Sequence, residues 1–304
     1  MTEIKLFKRC SNLFFLPISF LILFLLVRHN SDVTESVIYA TKLCVTSIIP
    51  SIFPFFIFAD YLGAQQYNGA TARTVSRIFG VSENCTPALI CGLICGFPCG
   101  VKWALKLYEE GLISKTELEA LMGLVNQPSL AFTVCAVGIG MLGSIKDGVF
   151  LYFSIIISVL ISSRFLEFNN YKITKTDDIF RQSFNLTESI KNAGFSSLIV
   201  SSYIIFFSIV IKAFSFFIYP QSFLALISSF LEIGNATFLI SNTSFSNPPL
   251  QNALLGFSLG FSGLSVHLQA FSLLPPNTSK KQYYKLKISQ GILCAILFAL
   301  YKCI

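Results

Sequence analysis

Residues 92–100 read Gly-Leu-Ile-Cys-Gly-Phe-Pro-Cys-Gly, an apolar stretch that is interrupted by three glycines and a proline. Glycine tolerates backbone conformations that other residues avoid, and proline removes one backbone hydrogen bond. In lipid, the freed backbone groups must be satisfied by protein or by a water-filled cavity. The stretch therefore predicts a helix that is broken inside a membrane protein, and not a simple span.

A second stretch, residues 256–263, reads Gly-Phe-Ser-Leu-Gly-Phe-Ser-Gly and repeats the pattern in the other half of the chain. In both stretches, glycines four apart lead into a Gly-Phe pair, and another glycine follows after a short gap. Paired glycine-broken hydrophobic segments in two halves indicate a transporter binding site. We therefore expect two pseudo-symmetric halves whose glycine segments meet near the bilayer midplane. The alternative is that these glycines only allow helices to pack closely.

The composition indicates that lipid is the solvent for most of the chain. Of the 304 residues, 54% are hydrophobic and 12% are charged, and the mean hydropathy is +0.69. Soluble domains carry about 25% charged residues, and a globule this apolar would expose large apolar patches in water. We expect an all-α polytopic membrane protein with broken and re-entrant helices. A disordered chain, a nucleic-acid-binding module and a secreted disulfide scaffold are excluded by the same composition.

The hydropathy pattern predicts a single integral membrane domain. Its expected parts are an N-terminal transmembrane helix (1–29), a first repeat (30–163), a cytoplasmic linker (164–183) and a second repeat (184–304). The positive-inside rule places the linker in the cytoplasm because it is basic; its cations include Lys172, Lys175 and Arg181. A second basic loop, also expected in the cytoplasm, contains Lys280, Lys281, Lys285 and Lys287. The pair Ser114 and Glu117 predicts a capping box at a helix start.

The sequence contains no complete catalytic constellation, so we do not expect an enzyme. Residues 256–260 match the letters of a nucleophile elbow, but no Asp or Glu follows Ser258 to complete a triad. Cys91, Cys95 and Cys99 lie four apart, and such buried thiols more often pack as small hydrophobes than bind metal. No cofactor and no metal site are expected, apart from a proton or Na⁺ as a coupling ion.

Three ionisable side chains in or beside the broken segments are candidates for function, namely Lys102, Glu232 and His267. Burying such groups in a membrane is costly, so they are functional candidates by default. Lys102 beside a half-helix N-terminus would form an anion site, and Glu232 would bind a proton or Na⁺. The alternatives are a Lys102 that snorkels to the interface as Lys106 would, an interfacial Glu232 and a hydrogen-bonded core His267.

The expected substrate site gathers residues from the broken segments of both halves. We expect Lys102 and His267 to face one cavity from opposite halves, with Phe97 or Phe261 stacking on a flat ligand. The full set of predicted substrate-binding residues is Gly96, Phe97, Pro98, Gly100, Lys102, Asn126, Gln127, Pro128, Ser129, Glu232, Asn235, Gly260, Phe261, Gly263, Ser265, His267 and Gln269. Helix interruptions are expected at Gly96, Pro98, Gly100, Pro128, Gly260 and Gly263.

Five segments of the chain, taken together, resemble a known family. They are SIIPSIFPFFIFADYL (47–62), GFPCGVKWALKLYEEGLIS (96–114), NQPSLAFTVCAVGIGMLG (126–143), FLEIGN (230–235) and LGFSGLSVHLQAFSLL (259–274). In this order they resemble the YlbJ-type sporulation integral membrane proteins, which belong to the nucleoside-recognition or gate-domain group.

The resemblance implies a transporter of endospore-forming bacteria with a fold like that of concentrative nucleoside transporters. The implied cargo is dipicolinic acid, a small organic anion, and the implied location is the outer forespore membrane. Two other functions compete with this one: a carrier for nucleosides or other neutral solutes, and a structural membrane protein of sporulation. The expected partners are the cargo and the lipid bilayer but no nucleic acid, and a homo-oligomer is compatible with the sequence.

Overall fold

The computed structural model describes residues 20, 23–65, 67, 69–164 and 184–301, and within these ranges the chain is helical and contains no β-strand. The predicted N-terminal helix 1–29 lies mostly outside the described residues, as does most of the predicted linker 164–183. Each remaining half contains long helices and pairs of short helices that are separated by breaks.

The first half supplies helices α1 to α7. They are α1 (Asn30–Leu43), a π-helical segment (Cys44–Ile48), α2 (Ile49–Gly63), α3 (Ala70–Phe79), a 3-10 turn (Glu83–Cys85), α4 (Thr86–Ile94), α5 (Cys99–Glu109), α6 (Lys115–Val125), a second π-helical segment (Phe132–Met141) and α7 (Ile145–Ser163).

The second half supplies helices α8 to α13. They are α8 (Leu186–Ser215), α9 (Gln221–Leu231), α10 (Ile233–Asn242), α11 (Pro248–Phe261), α12 (Gly263–Ser272) and α13 (Lys281–Tyr301).

Among the residues that the structure describes, five helical stretches are long and apolar enough to cross a membrane. They are Asn30–Gly63, Ile145–Ser163, Leu186–Ser215, Pro248–Ser272 and Lys281–Tyr301. The fourth of these joins α11 to α12 and is interrupted at Ser262. The length and composition of these helices are those of an α-helical membrane protein.

Side-chain caps fix where several helices begin. The predicted capping box at the start of α6 is confirmed, because the Glu117 backbone N–H donates to Ser114 Oγ over 3.2 Å. In return the Ser114 N–H donates to Glu117 Oε2 over 2.9 Å. Asn185 accepts from the Glu188 N–H at the start of α8 in the same way. These caps satisfy backbone donors that the first helical turn leaves unpaired.

Small residues allow the helices to pack closely. A side chain added at Gly256 of α11 would come within 2.5 Å of the Cys294 carbonyl oxygen on α13. One added at Gly260 would meet Cys294 Cβ at 2.9 Å. Gly260 lies inside α11, so the prediction of a helix interruption at Gly260 is wrong, and close helix packing is its role.

Gly100 is also helical. It lies in the first turn of α5, where an added Cβ would meet the Gly92 Cα and the Val125 carbonyl oxygen at 2.5 Å. Its small size lets α5 approach α4 and α6. The helix is interrupted just before this position, at residues 95–98, and not at Gly100 itself.

Candidate functional site

The first chain break separates α4 from α5 at residues 95–98. Gly96 has a φ of 75°, which side chains other than glycine rarely adopt. An added Cβ there would lie 2.5 Å from the Ser129 nitrogen. The Phe97 N–H donates to the Gln127 carbonyl oxygen over 2.8 Å. The first break therefore packs directly on the second.

The second break covers residues 126–129, between α6 and the π-helical segment that follows. Ser129 Oγ accepts the Phe132 N–H at 3.0 Å and so caps the new helical segment. Gln127 Nε2 donates back to the Gly123 carbonyl oxygen at 2.8 Å. Predicted interruptions at Gly96, Pro98 and Pro128 are confirmed, because these residues all lie in the two breaks.

The third break is a single residue, Glu232, between α9 and α10. Its side chain is 1% exposed. The carboxylate accepts the Gly234 N–H at 2.8 Å and the Asn235 N–H at 2.6 Å. Asn235 Nδ2 donates to it as well, at 2.8 Å. Glu232 thus caps α10 from inside the protein, and the interfacial-loop alternative does not describe its position.

The fourth break, at Ser262, separates α11 from α12. Ser262 and Gly263 have φ values of 74° and 75°, and a positive φ at a serine marks a strained backbone. A Cβ added at Gly263 would lie 3.1 Å from the Glu232 nitrogen and from the Leu231 carbonyl carbon. The fourth break therefore packs on the third, and the predicted interruption at Gly263 is confirmed.

A cavity of about 20 Å³ lies where the breaks meet. This central cavity is lined by Ile48, Ile52, Phe97, Ser129, Phe132, Val200, Ile204, Glu232, Ile233, Gly234, Val266 and Gln269. A volume of about 15 Å³ suffices for one water molecule, so the cavity has room for little more than one water molecule. Gln269 Oε1 is buried there and has no hydrogen-bond partner among the described residues. None of the lining residues is basic.

Lys102 lies in a different cavity, of about 140 Å³. This Lys102 cavity is lined by Phe56, Asp60, Cys99, Lys102, Trp103, Asn192, Ala193 and Ser196. Lys102 Nζ donates to Ser196 Oγ over 2.6 Å, which joins α5 to α8. A third cavity of about 80 Å³, the Asn185 cavity, is lined by Asp60, Ala64, Trp103, Lys106, Phe184, Asn185, Glu188, Ser189 and Asn192.

His267 is buried in a cluster of aromatic and polar side chains. It is 1% exposed, and its Nδ1 lies 2.6 Å from Tyr283 Oη. Asn126 Nδ2 donates to the same hydroxyl at 2.6 Å. Phe261 packs edge-on against the imidazole at 4.7 Å between ring centroids. The expectation that His267 and Lys102 face one cavity is therefore wrong, because packing places them in separate environments.

Ser265 lies on α12, two residues before His267. It is 1% exposed, and its hydroxyl has no partner among the described residues. Of the two predicted stacking residues, Phe97 lines the central cavity, whereas Phe261 packs against Phe257 and His267.

Lys287 is a buried cation whose position the sequence analysis missed. It belongs to α13 and is 0% exposed, although we expected it in a cytoplasmic loop. Its Nζ donates to Gln127 Oε1 at 3.2 Å and to Gln290 Oε1 at 3.3 Å. The described residues contain no ion pair to Lys287. The period that joins Tyr283, Lys287, Gln290 and Cys294 on one buried helix face is the signal that would have found it.

The described residues contain no group of three or more His, Cys, Asp or Glu side chains that could hold a metal ion. The cysteines that lie four apart are buried, and the Cys91 thiol donates to the Ala59 carbonyl oxygen. Cys91 fills space between α2 and α4, and Cys99 borders the Lys102 cavity.

Comparison with known proteins returned no match: no family model, no curated protein and no solved structure is similar to this chain. Arguments about function therefore start from the breaks, the central cavity and the buried polar groups around it.

Proposed function

We propose that this protein is a membrane carrier whose substrate site is the central cavity. The observation that carries the proposal is that residues of three chain breaks, Phe97, Ser129 and Glu232, line one cavity, while the fourth break packs on the third. Breaks expose backbone groups, which membrane proteins tolerate where the backbone is buried in protein or lines a cavity. In secondary transporters such broken helices form the site for substrate and coupling ion.

The order of elements supports an inverted repeat within this carrier. Apart from α3 and the 3-10 turn of the first half, in each half a long helix is followed by two interrupted helix pairs and then by another long helix. On this alignment the break at Gly96 corresponds to Glu232, and the break at 126–129 corresponds to Ser262. The order of elements therefore does not pair the two Gly-Phe segments that the sequence pattern matched, residues 92–100 and 256–263. Phe97 directly follows Gly96, and Ile233 directly follows Glu232. Both line the central cavity.

The long helices support the same arrangement. Ile48 and Ile52 line the cavity from the first half, and Val200 and Ile204 line it from α8. The next turn of α2, at Phe56, meets residues that precede Val200 on α8. The two helices therefore run antiparallel past the cavity, as an in-plane two-fold axis would require.

For the cargo, the central cavity favours a small neutral solute that donates hydrogen bonds. Its polar side chains are a carboxylate, a hydroxyl and an amide, from Glu232, Ser129 and Gln269. All three accept hydrogen bonds, and the carboxylate would repel a bare dianion. Nucleosides and related hydroxylated solutes have this chemistry. The cavity must widen to admit any of them, because its present volume is about 20 Å³.

A small organic anion, dipicolinic acid, is the second candidate. It is supported by the resemblance to the YlbJ-type proteins and by two cations near the route of the solute. Lys102 lines the neighbouring cavity, and Lys287 contacts Gln127 in the second break. On this reading a proton or Na⁺ at Glu232 removes the repulsion, and the protein acts in the outer forespore membrane.

Uptake into proteoliposomes tests the proposal. The purified chain is reconstituted, and saturable uptake of radiolabelled uridine and of radiolabelled dipicolinate is compared with protein-free liposomes. We expect Glu232→Gln to lower uptake of the cargo about tenfold, because a hydrogen bond to a charged group contributes about 1.5–3 kcal/mol. Glu110→Gln, at an exposed position, is the control. Saturable uptake of dipicolinate alone selects the second candidate, and the absence of uptake of both solutes and their close analogues contradicts the carrier proposal.

A further inference from the structure

The three cavities lie in series along α2. The central cavity is lined by Ile48 and Ile52, and the Lys102 cavity by Phe56 and Asp60. The Asn185 cavity is lined by Asp60 and Ala64. Residues four apart on a helix are separated by about 6 Å along its axis. The cavities therefore follow one another at intervals of about two helical turns or less.

Helix α8 gives the same series in the opposite direction. Ile204 and Val200 line the central cavity, and Ser196 and Asn192 line the Lys102 cavity. Asn192 and Asn185 both line the Asn185 cavity. The shared residues, Asp60 on α2 and Asn192 on α8, show that the two outer cavities adjoin each other.

The first break and α5 form the third wall. Phe97 lines the central cavity, Lys102 lines the next one, and Lys106 lines the outermost one. Three separate elements thus order the cavities identically, which a set of unrelated surface clefts would not do.

We infer that the Lys102 and Asn185 cavities form a water-accessible passage from the cytoplasmic face to the central cavity, with Lys102 as the residue that selects the solute. The inference rests on the proposed role of the central cavity as the substrate site. It adds a route, a side of the membrane and a selecting residue to that role.

The lining of the passage fits a route for a polar solute. Acidic, basic and amide side chains line the two outer cavities, whereas the central cavity has one charged residue, Glu232. Lys102 is the innermost cation of the series, and its bond to Ser196 spans the passage from α5 to α8. A solute that moves inward must replace Ser196 as the hydrogen-bond acceptor of Lys102. A solute that carries a carboxylate or another hydrogen-bond acceptor can do so, because Lys102 offers only donors.

Apolar side chains follow the lining residues on the opposite side of the central cavity. One and two helical turns before Ile48, in the direction of α1, lie Cys44 and Ala40, and both are buried. When Gly96 is aligned with Glu232, Lys102 of the first half corresponds to Phe238 of the second half. Each lies six residues after the aligned position. Phe238 packs against Tyr39 with ring centroids 4.9 Å apart. Polar side chains therefore continue from the cavity on one side, whereas buried apolar side chains follow Ile48 on the other.

The charge pattern of the sequence assigns the open side to the cytoplasm. The mouth of the passage contains Asn185 and Glu188 at the start of α8, directly after a segment that includes Lys172, Lys175 and Arg181. Basic segments next to membrane helices remain on the cytoplasmic side.

Thiol labelling tests the passage without measuring transport. Single cysteines are placed at Asn192, at Ser196 and at Ile199 of α8 in a variant whose nine native cysteines are replaced. A charged, membrane-impermeant methanethiosulfonate is applied to inside-out and to right-side-out vesicles. Ile199→Cys is the matched control, because this side chain lies on the same helix and is exposed on the outer surface of the protein.

We expect Asn192→Cys and Ser196→Cys to react about tenfold faster than Ile199→Cys, since only a thiol in contact with water ionises and reacts. The reaction should occur when the reagent is applied to the cytoplasmic face. Rates equal to that of Ile199→Cys, or labelling only from the opposite face, would overturn the inference. If the thiols are labelled but the protein takes up neither solute, the inferred passage would be supported and the proposed cargo would be rejected.

Wild-type protein provides a second measurement if the cysteine-free variant does not insert. Cys99 lines the Lys102 cavity, whereas Cys294 is 0% exposed and lies in none of the three cavities. Peptide mass spectrometry after labelling should find the reagent on Cys99 and not on Cys294. An unlabelled Cys99 together with an unlabelled Cys294 would contradict a water-filled passage.

Discussion

The backbone N–H of Phe97 donates to the carbonyl oxygen of Gln127 over 2.8 Å, and this bond ties the first chain break to the second. Each break leaves backbone groups that its own helices cannot satisfy. Here one break satisfies the other, and Gly96 makes their approach close enough. In the second half, Gly263 approaches Glu232 in a comparable way. The four breaks are thus held as two pairs, and the central cavity lies between the pairs.

Gly96→Ala should destabilise the protein by more than Gly111→Ala. Both glycines have a positive φ, so both variants incur a penalty of about 1–2 kcal/mol for a left-handed conformation. Only at Gly96 would the new Cβ also clash, 2.5 Å from Ser129 nitrogen, because Gly111 has open space. Thermal unfolding of the two variants in detergent measures the difference. Equal losses would mean that the first two breaks are not packed as described.

Tyr283→Phe should destabilise the protein by about 1–3 kcal/mol, because it removes a shared partner of two buried polar groups. Asn126 Nδ2 and His267 Nδ1 both contact the Tyr283 hydroxyl. Tyr284→Phe is the matched control, since its side chain is 37% exposed. Denaturation midpoints measured for both variants in the same detergent test this, and a larger loss for the control would be inconsistent with the structure.

Lys287→Met should change stability little, because it removes the cost of burying an ammonium group without an ion pair but leaves the buried Gln290 Oε1 without this hydrogen-bond donor. The Gln290 side chain still donates to Gln127 in this variant. If an anion is the cargo, its uptake should fall at the same time. Lys281→Met, at an exposed position, should change neither property. A large loss of stability in Lys287→Met would show that the ammonium group is needed for folding.

Lys102→Gln should lower uptake more than Lys106→Gln. Lys102 bridges to Ser196 within the passage, whereas Lys106 lines the outermost cavity and lies 5.0 Å from the centre of the Trp103 ring. Initial rates over a range of substrate concentrations separate the two effects. A selecting role for Lys102 predicts a raised KM, and a purely structural role predicts less active protein with an unchanged KM. Undiminished uptake by both variants would remove Lys102 from the route.

Local sequence features predicted the class of protein and most of the breaks. Low charge and high hydropathy required a membrane environment, and Gly96, Pro128 and Gly263 marked interruptions that the structure contains. A glycine in the sequence indicates either close packing or an unusual φ, and the sequence alone does not distinguish the two. For this reason Gly260 was assigned to a break, although it lies in α11 and allows close packing with α13.

Buried polar partners could not be predicted, because they depend on helix rotation and on contacts between distant segments. A count of basic residues placed Lys287 in a loop, whereas one helical face turns it inward towards Gln127. Lys102 and His267 were both near a break in sequence, but neighbouring helices direct them to different environments. Spacing along one chain carries no information about such pairings.

The two π-helical segments, Cys44–Ile48 and Phe132–Met141, both adjoin the central cavity, through Ile48 and Phe132. A π turn contains one more residue than an α turn, and each residue corresponds to about 100° of rotation. If the first segment relaxed to α geometry, α2 would rotate by about that angle. Ile52 would leave the cavity and a neighbouring side chain would replace it. Such a rotation of α2 would change which side chains line the central cavity and, with them, its width.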